Sequence, residues 1–132
     1  MENVKDEDYY GDLVLDLNRS MEERIQGAFQ LENARKDENI LKLVKGLFTD
    51  PSPIVRHEFA FSLGETGRGD LVGKYLMKSV EEDENIFVRH ESILALATLG
   101  DEKFIPFVKK FVDDPVVEMA ESAQVALQRL ES

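Results

Sequence analysis

The sequence has 132 residues, a formal net charge of −11 at pH 7 and no cysteine. This length fits one domain that buries a core of its own. The lack of cysteine excludes disulfide scaffolds, thiolate metal sites and cysteine nucleophiles, so any metal is held by His, Asp or Glu. The acidic charge would repel phosphate backbones and so argues against nucleic acid as a partner. The same charge favours a cationic ligand or a basic protein surface as a partner. Alternatively, it only keeps the protein soluble.

The chain begins with an acidic segment, residues 1–8, which we separate from a single repeat domain over residues 9–132. The acidic start does not resemble a signal peptide, and no apolar run reaches membrane-spanning length. We therefore expect a cytoplasmic protein without membrane contact.

Amphipathic stretches, with apolar residues three and four positions apart, recur along the chain and predict helices. The predicted outer helices of successive pairs lie around residues 13–17, 40–48, 71–80 and 104–112. The predicted inner helices cover residues 23–31, 55–63, 88–96 and 117–125. Pro53 and Pro115 suit helix starts, whereas Gly67 and Gly100 suit helix ends. No alternating strand pattern appears, so the sequence predicts an all-α superhelix of about four HEAT-like helix pairs.

Two of the predicted inner helices carry the same four residues, Val-Arg-His-Glu, at residues 55–58 and 88–91. Neighbouring helices pack about 8–10 Å apart, so His57 and His90 can reach one metal ion. Glu58 and Glu91 follow directly and are rotated by about 100° around the helix axis. The residues alone leave open whether each glutamate binds metal, orients a histidine or faces a substrate. They also leave open whether these side chains are only a solvated part of the helix.

The first and last units lack such a pair, since the alignment places Ile25-Gln26 and Met119-Ala120 there. Only the middle of the stack is therefore expected to bind metal. Arg56 and Arg89 precede the histidines and could suggest a phosphate site. We expect them instead to pair with an acidic group of a neighbouring unit, such as Asp50 or Asp83.

These motifs closely resemble one half of deoxyhypusine hydroxylase. The resemblance rests on the two Val-Arg-His-Glu motifs, on Asp-Pro-Val-Val-Glu-Met-Ala-Glu at residues 114–121 and on Leu-Gln-Arg-Leu-Glu at residues 127–131. It extends over roughly residues 20–131. Members of that family are HEAT-like di-iron monooxygenases built from two similar four-repeat halves, each of which contributes two His-Glu pairs.

The resemblance implies that His57, His90 and Glu91 are iron ligands. It places Glu58 at the metal as well, as a catalytic group near the reacting oxygen species or the substrate amine. The implied cofactor is iron, two ions per dimer, with dioxygen as co-substrate. Zinc could occupy such a site but could not activate dioxygen for hydroxylation.

The substrate implied by the resemblance is a deoxyhypusine side chain on a translation factor, a long group with two amines. Glu118 and Glu121 match acidic positions of the same half, where they would bind an amine or support the ligands. The net charge of −11 is consistent with attraction of such a basic, polyamine-modified protein.

Three functions remain open at this point. The first is an enzyme in which a homodimer assembles four His-Glu pairs across a two-fold axis. The second is a non-catalytic HEAT-repeat scaffold that binds a basic partner protein. The third, a lyase or chaperone for tetrapyrrole attachment, rests on fold analogy alone and ranks last.

Overall fold

Eight α-helices, arranged in two layers, make up most of the computed structural model, which describes residues 5–132. The outer layer consists of α1 (Glu7–Leu13), α3 (Asp37–Thr49), α5 (Gly69–Glu82) and α7 (Ile105–Lys109). The inner layer consists of α2 (Met21–Leu31), α4 (Pro53–Glu65), α6 (Ile86–Leu99) and α8 (Val117–Glu131). A short 3₁₀ turn, Glu102–Phe104, precedes α7. The all-α prediction of four helix pairs is confirmed, and residues 5–132 contain no strand.

The first and last outer helices differ from their predicted ranges. Helix α1 begins at Glu7, before the predicted stretch 13–17, because the Asp6 side chain caps it by accepting a hydrogen bond from the Tyr9 N–H. Part of the acidic segment 1–8 therefore belongs to a helix, while residues 1–4 lie outside the described residues. The predicted stretch 104–112 is α-helical only as far as Lys109, since the chain then continues in tighter turns.

The helix boundaries follow the proline and glycine signals. Pro53 occupies the first turn of α4, and Ser52 caps that helix through the Val55 N–H. Gly67 and Gly100 follow α4 and α6 with φ values of 70° and 76°, the left-handed conformation that glycine adopts most easily. The predicted helix ends at these two glycines are confirmed.

The hydrophobic core fills the space between the two layers. In α4, Val55, Phe59 and Leu63 are spaced by four residues and are fully buried, so one face of the helix points into the core. Leu43 and Leu47 of α3 form the same kind of face in the outer layer. The opposite face of each inner helix is left for the functional side chains. No helix in the described part is both long and apolar enough to cross a membrane.

Arginine–aspartate pairs tie one helix pair to the next. Arg24 Nε lies 2.8 Å from Asp50 Oδ2 with both side chains buried, and Arg56 Nε lies 3.0 Å from Asp83 Oδ2. The predicted pairing of Arg56 with Asp83 is confirmed. The prediction is wrong for Arg89, because its Nε donates to the Val80 carbonyl at 2.6 Å, so a backbone oxygen takes the place of a carboxylate.

Helices α4 and α6 approach each other closely at a pair of small residues. A Cβ atom built on Gly64 would lie 2.8 Å from Ala95 Cβ and 2.9 Å from Ala95 Cα, closer than real Cβ atoms come. The absence of a side chain at Gly64 therefore allows the two helices that carry the histidines to pack tightly.

Candidate metal centre

His57 and His90 face each other on neighbouring helices of the inner layer. The 33-residue repeat gives them the same position in α4 and α6, and their ring centroids lie 5.8 Å apart with an interplanar angle of 36°. Both residues are half-buried. The expected juxtaposition of the two imidazoles is therefore present in the structure.

Glu91 completes a group of three donors with the two histidines. Its Oε1 atom lies 3.1 Å from His57 Nε2, and one ligand atom from each of His57, His90 and Glu91 lies within 4.8 Å of the others. Ligand atoms about 2.1 Å from one ion are at most about 4.2 Å apart, so a small side-chain adjustment closes the group around an ion. Two imidazoles and one carboxylate form the donor set typical of non-haem iron oxygenases.

Glu58 lies on the other side of the His57 ring and outside this group. Its Oε2 atom is 2.8 Å from His57 Nδ1, where a carboxylate can only accept a hydrogen bond. The pKa of His57 is raised above its ordinary value, mainly by the hydrogen bond to Glu91. Burial opposes this rise, and the hydrogen bond to Glu58 adds to it. Glu58 is thus placed to hold the His57 ring while Nε2 faces the metal position. Its role as a ligand or catalytic group stays a prediction.

His90 has a different environment. Its Nδ1 atom lies 3.1 Å from the Ser122 hydroxyl of α8, and that hydroxyl donates to the Glu118 carbonyl at 2.7 Å. Burial lowers the pKa of His90. The nearby His57 lowers it further, whereas the negative charges of Glu91 and Glu118 act in the opposite direction. Burial thus favours the neutral imidazole that a metal ion requires.

Glu118 and Glu121 are exposed on α8 and lie outside the three-residue group. They border a cavity of about 350 Å³ that opens beside His90. The other lining residues are mainly apolar, and the full set is Phe87, His90, Leu94, Glu118, Glu121, Ser122, Val125 and Arg129. The cavity therefore combines apolar walls with two carboxylates and one guanidinium group, Arg129, next to the candidate metal position.

The repeat register in α8 differs from the sequence alignment. Three aspartates each accept a hydrogen bond from the backbone N–H two residues later, namely Asp50, Asp83 and Asp114. Five residues after each aspartate comes a fully buried residue, namely Val55, Val88 and Met119. The α8 counterparts of the His-Glu pairs are therefore residues 121–122, not 119–120. Asp114 follows Asp83 by 31 residues, instead of the 33 that separate Asp83 from Asp50, whereas the sequence alignment implied an interval of 29. Sequence reasoning missed Ser122, which counting from these turn aspartates would have found.

Exposed apolar side chains surround the histidines. Ile54 and Phe87, each three residues before a histidine, are 60% and 58% exposed. Phe61 and Val125 lie one helical turn beyond the His57 and Glu121 positions and are also exposed. An apolar surface of this kind around a polar centre is typical of a binding face.

Comparison with known proteins places these features in a family. Residues 40–128 match the family of HEAT repeats. The chain is 30% identical over 131 residues to deoxyhypusine hydroxylase of Danio rerio, which covers 99% of this chain and 43% of the relative. It is 38% identical over 119 residues to the enzyme of Schizosaccharomyces pombe, covering 89% of this chain and 37% of the relative.

A solved structure of human deoxyhypusine hydroxylase in complex with glycerol superimposes with a TM-score of 0.87 at 28% identity. The match covers 95% of this chain and 43% of the human chain, so the chain spans about two fifths of the length of these relatives. The chain belongs to the HEAT-repeat family and, as its motifs implied, is similar to one of the two halves of the deoxyhypusine hydroxylases.

Proposed function

We propose that this chain is a non-haem di-iron monooxygenase that hydroxylates a deoxyhypusine side chain on a translation factor. The observation that carries this proposal is the group formed by His57, His90 and Glu91, whose ligand atoms lie within 4.8 Å of one another. The relatives named deoxyhypusine hydroxylase supply the substrate class.

The residues of the group have distinct tasks in this proposal. His57 and His90 offer imidazole nitrogens, and Glu91 offers a carboxylate oxygen beside His57. Glu58 accepts the Nδ1–H of His57 and keeps that ring in place, or turns toward the substrate amine. Iron held here supplies the dioxygen activation that hydroxylation of an unactivated C–H bond requires.

The cavity beside His90 suits a long cationic side chain. Its apolar walls, Phe87, Leu94 and Val125, can contact the methylene groups, while Glu118 and Glu121 can receive the amines. The net charge of −11 attracts a basic protein over longer distances. We therefore propose a basic or polyamine-modified protein as the partner.

A homodimer is the form we propose for the active protein. The 132-residue chain has two histidines, whereas di-iron carboxylate sites draw on ligands from several facing helices. A two-fold contact is self-complementary, so the inner face of one copy can meet the same face of another. Burial of exposed apolar residues such as Ile54 and Phe87 would favour this contact.

The test is hydroxylation by the purified, iron-loaded protein of a translation factor carrying deoxyhypusine, followed by mass spectrometry of the modified peptide. The assay supplies dioxygen and a chemical two-electron reductant, because one oxygen atom enters the substrate and the other is reduced to water. We expect the wild-type chain to add one oxygen atom, and Glu58→Gln to lose most of this activity. Gln26→Ala is the matched control, because Gln26 is the counterpart of Glu58 in the first unit and should leave the product unchanged. Iron-loaded wild-type protein that forms no product would contradict the proposal.

A scaffold without catalysis is the second candidate, favoured by the acidic charge and by the exposed apolar residues around the histidines. If the protein is a scaffold, the metal-free and the iron-loaded forms should bind a basic partner with equal affinity. The catalytic proposal instead expects tighter binding of the deoxyhypusine-bearing protein when iron is present.

A further inference from the structure

Ser122 is a buried residue of α8 that contacts the candidate metal centre without belonging to a His-Glu pair. Its side chain is almost closed off from solvent, with 8% of the residue exposed. The hydroxyl oxygen lies 3.1 Å from His90 Nδ1 and 2.7 Å from the backbone carbonyl oxygen of Glu118. Ser122 therefore connects α8 to the ring of a candidate ligand on α6.

The hydrogen count at this contact determines the tautomer of His90. A serine hydroxyl has one proton, and the backbone carbonyl of Glu118 can only accept a hydrogen bond. Ser122 therefore donates its proton to Glu118. Toward His90 the oxygen then offers a lone pair, which requires a proton on Nδ1. A neutral imidazole carries one N–H, so Nε2 holds the free electron pair.

We propose that Ser122 is a positioning residue that fixes the His90 ring with Nε2 available for the metal ion. This inference rests on the metal centre of the proposed function. It places a proton on Nδ1 of His90, the nitrogen that in His57 donates to the Glu58 carboxylate at 2.8 Å. Glu58 and Ser122 lie eight residues after the turn aspartates Asp50 and Asp114, respectively. The same repeat position therefore orients a histidine ring in both cases, with a carboxylate in α4 and a hydroxyl in α8.

The first measurement uses metal-free, ¹⁵N-labelled protein at pH 8 and reads the tautomers from long-range ¹H–¹⁵N correlations of the histidine rings. The chain has only two histidines, so the spectrum of His57→Ala assigns the His90 signals. In wild-type protein we expect a protonated Nδ1 and an unprotonated Nε2 for His90. In Ser122→Ala we expect a mixture of tautomers, because Nδ1 has lost its acceptor.

The second measurement is calorimetric titration with Fe²⁺ alone under anaerobic conditions. Loss of a hydrogen-bond partner behind a metal-bound histidine lowers metal affinity by about 10–100-fold, and we expect this range for Ser122→Ala. Ser122→Thr keeps the hydroxyl and should restore both the tautomer and the affinity. Ser92→Ala is the matched control, because Ser92 is also a buried serine but contacts Ser79 at 2.8 Å instead of a histidine.

An unchanged His90 tautomer in Ser122→Ala would overturn the inference, whether or not the affinity falls. Failure of Ser122→Thr to restore the tautomer would do the same. If wild-type protein takes up no Fe²⁺, the proposed function fails, whereas the ring spectra of the metal-free protein still decide the role of Ser122.

Discussion

At the level of single residues, the two histidines differ in their surroundings although they share a repeat position. His57 lies between two carboxylates, Glu58 and Glu91, whereas His90 contacts the neutral hydroxyl of Ser122. The carboxylates raise the pKa of His57, and burial lowers the pKa of His90. One ring of the group is therefore readily protonated in the metal-free protein, while the other resists protonation.

Removal of either imidazole should abolish iron retention without unfolding the protein. We expect His57→Ala and His90→Ala to lose bound iron while their free energy of unfolding stays within about 1 kcal/mol of wild type, because neither ring belongs to the core. Metal analysis after desalting, together with urea unfolding, measures both effects. Stoichiometric iron in either variant would refute the site.

Glu32 provides a prediction that does not involve the metal centre. Burial raises the pKa of Glu32, although the Ser62 hydroxyl, 3.0 Å away, stabilises its charged form. An acid with a raised pKa binds protons more readily in the folded state, so its contribution to stability increases as pH falls through the folded pKa. Ionised Glu32 therefore lowers the stability of the protein at neutral pH.

We expect Glu32→Gln to raise the free energy of unfolding at pH 7 by roughly 0.5 kcal/mol, a value reduced to allow for solvent screening. The gain should shrink as pH falls toward 4, because wild-type Glu32 is then largely protonated. Urea titrations at both pH values measure this, with the exposed Glu84→Gln as a control. An equal gain at both pH values would show that the raised pKa is not the cause.

At the level of helices, the packing of α4 against α6 positions the metal centre. The contact between Gly64 and Ala95 leaves no room for another carbon atom. We expect Gly64→Ala to lower the free energy of unfolding by about 1–3 kcal/mol, the usual effect of overpacking. Iron affinity should fall as well, because the separated helices move Glu91 away from His57.

Gly69→Ala is the matched control for this prediction. A Cβ atom on Gly69 would meet its nearest neighbour, Phe104, at an ordinary contact distance of 3.5 Å. Thermal unfolding and Fe²⁺ titration of both variants test the helix contact. Wild-type iron affinity in a folded Gly64→Ala protein would show that the α4–α6 distance does not control the site.

The repeat pattern explains which parts of this architecture were predictable. The 33-residue interval fixed the helical phase of His57 and His90, and the proline and glycine signals marked the ends of α4 and α6. The position of α1 was missed because its start depends on a local cap at Asp6. Ser122 was missed because its contact with His90 joins two helices, and because the last interval between turn aspartates, Asp83 to Asp114, is 31 residues and departs from the 33-residue repeat.

At the level of the whole molecule, we expect iron-loaded protein to sediment as a dimer with two irons. Repulsion between two chains of charge −11 opposes association, but salt screens charges over about 8 Å at physiological ionic strength. Chelation and low salt should therefore each shift the protein toward monomer. A strictly monomeric species that carries iron and hydroxylates deoxyhypusine would contradict this prediction.

The inner face is the surface that we expect to form the dimer contact. Ile54→Glu should produce monomers, because it places a charge where the exposed apolar side chain would be buried. Leu41→Glu is the control, since Leu41 is an exposed apolar residue of the outer-layer helix α3 and should leave the dimer intact. Sedimentation of both iron-loaded variants distinguishes the two faces. Dissociation by Leu41→Glu alone would move the contact to the outer layer.

The group formed by His57, His90 and Glu91 also has a mechanical consequence. A stack of helix pairs flexes through small rotations at the boundaries between successive pairs. His57 and Glu91 lie on opposite sides of the boundary between the second and third pairs, 3.1 Å apart. A metal ion shared by these side chains would act as a brace across that boundary. The iron-loaded protein would then be stiffest at its centre. The boundary between the first and second helix pairs would remain more flexible, because Ile25 takes the place of a histidine there.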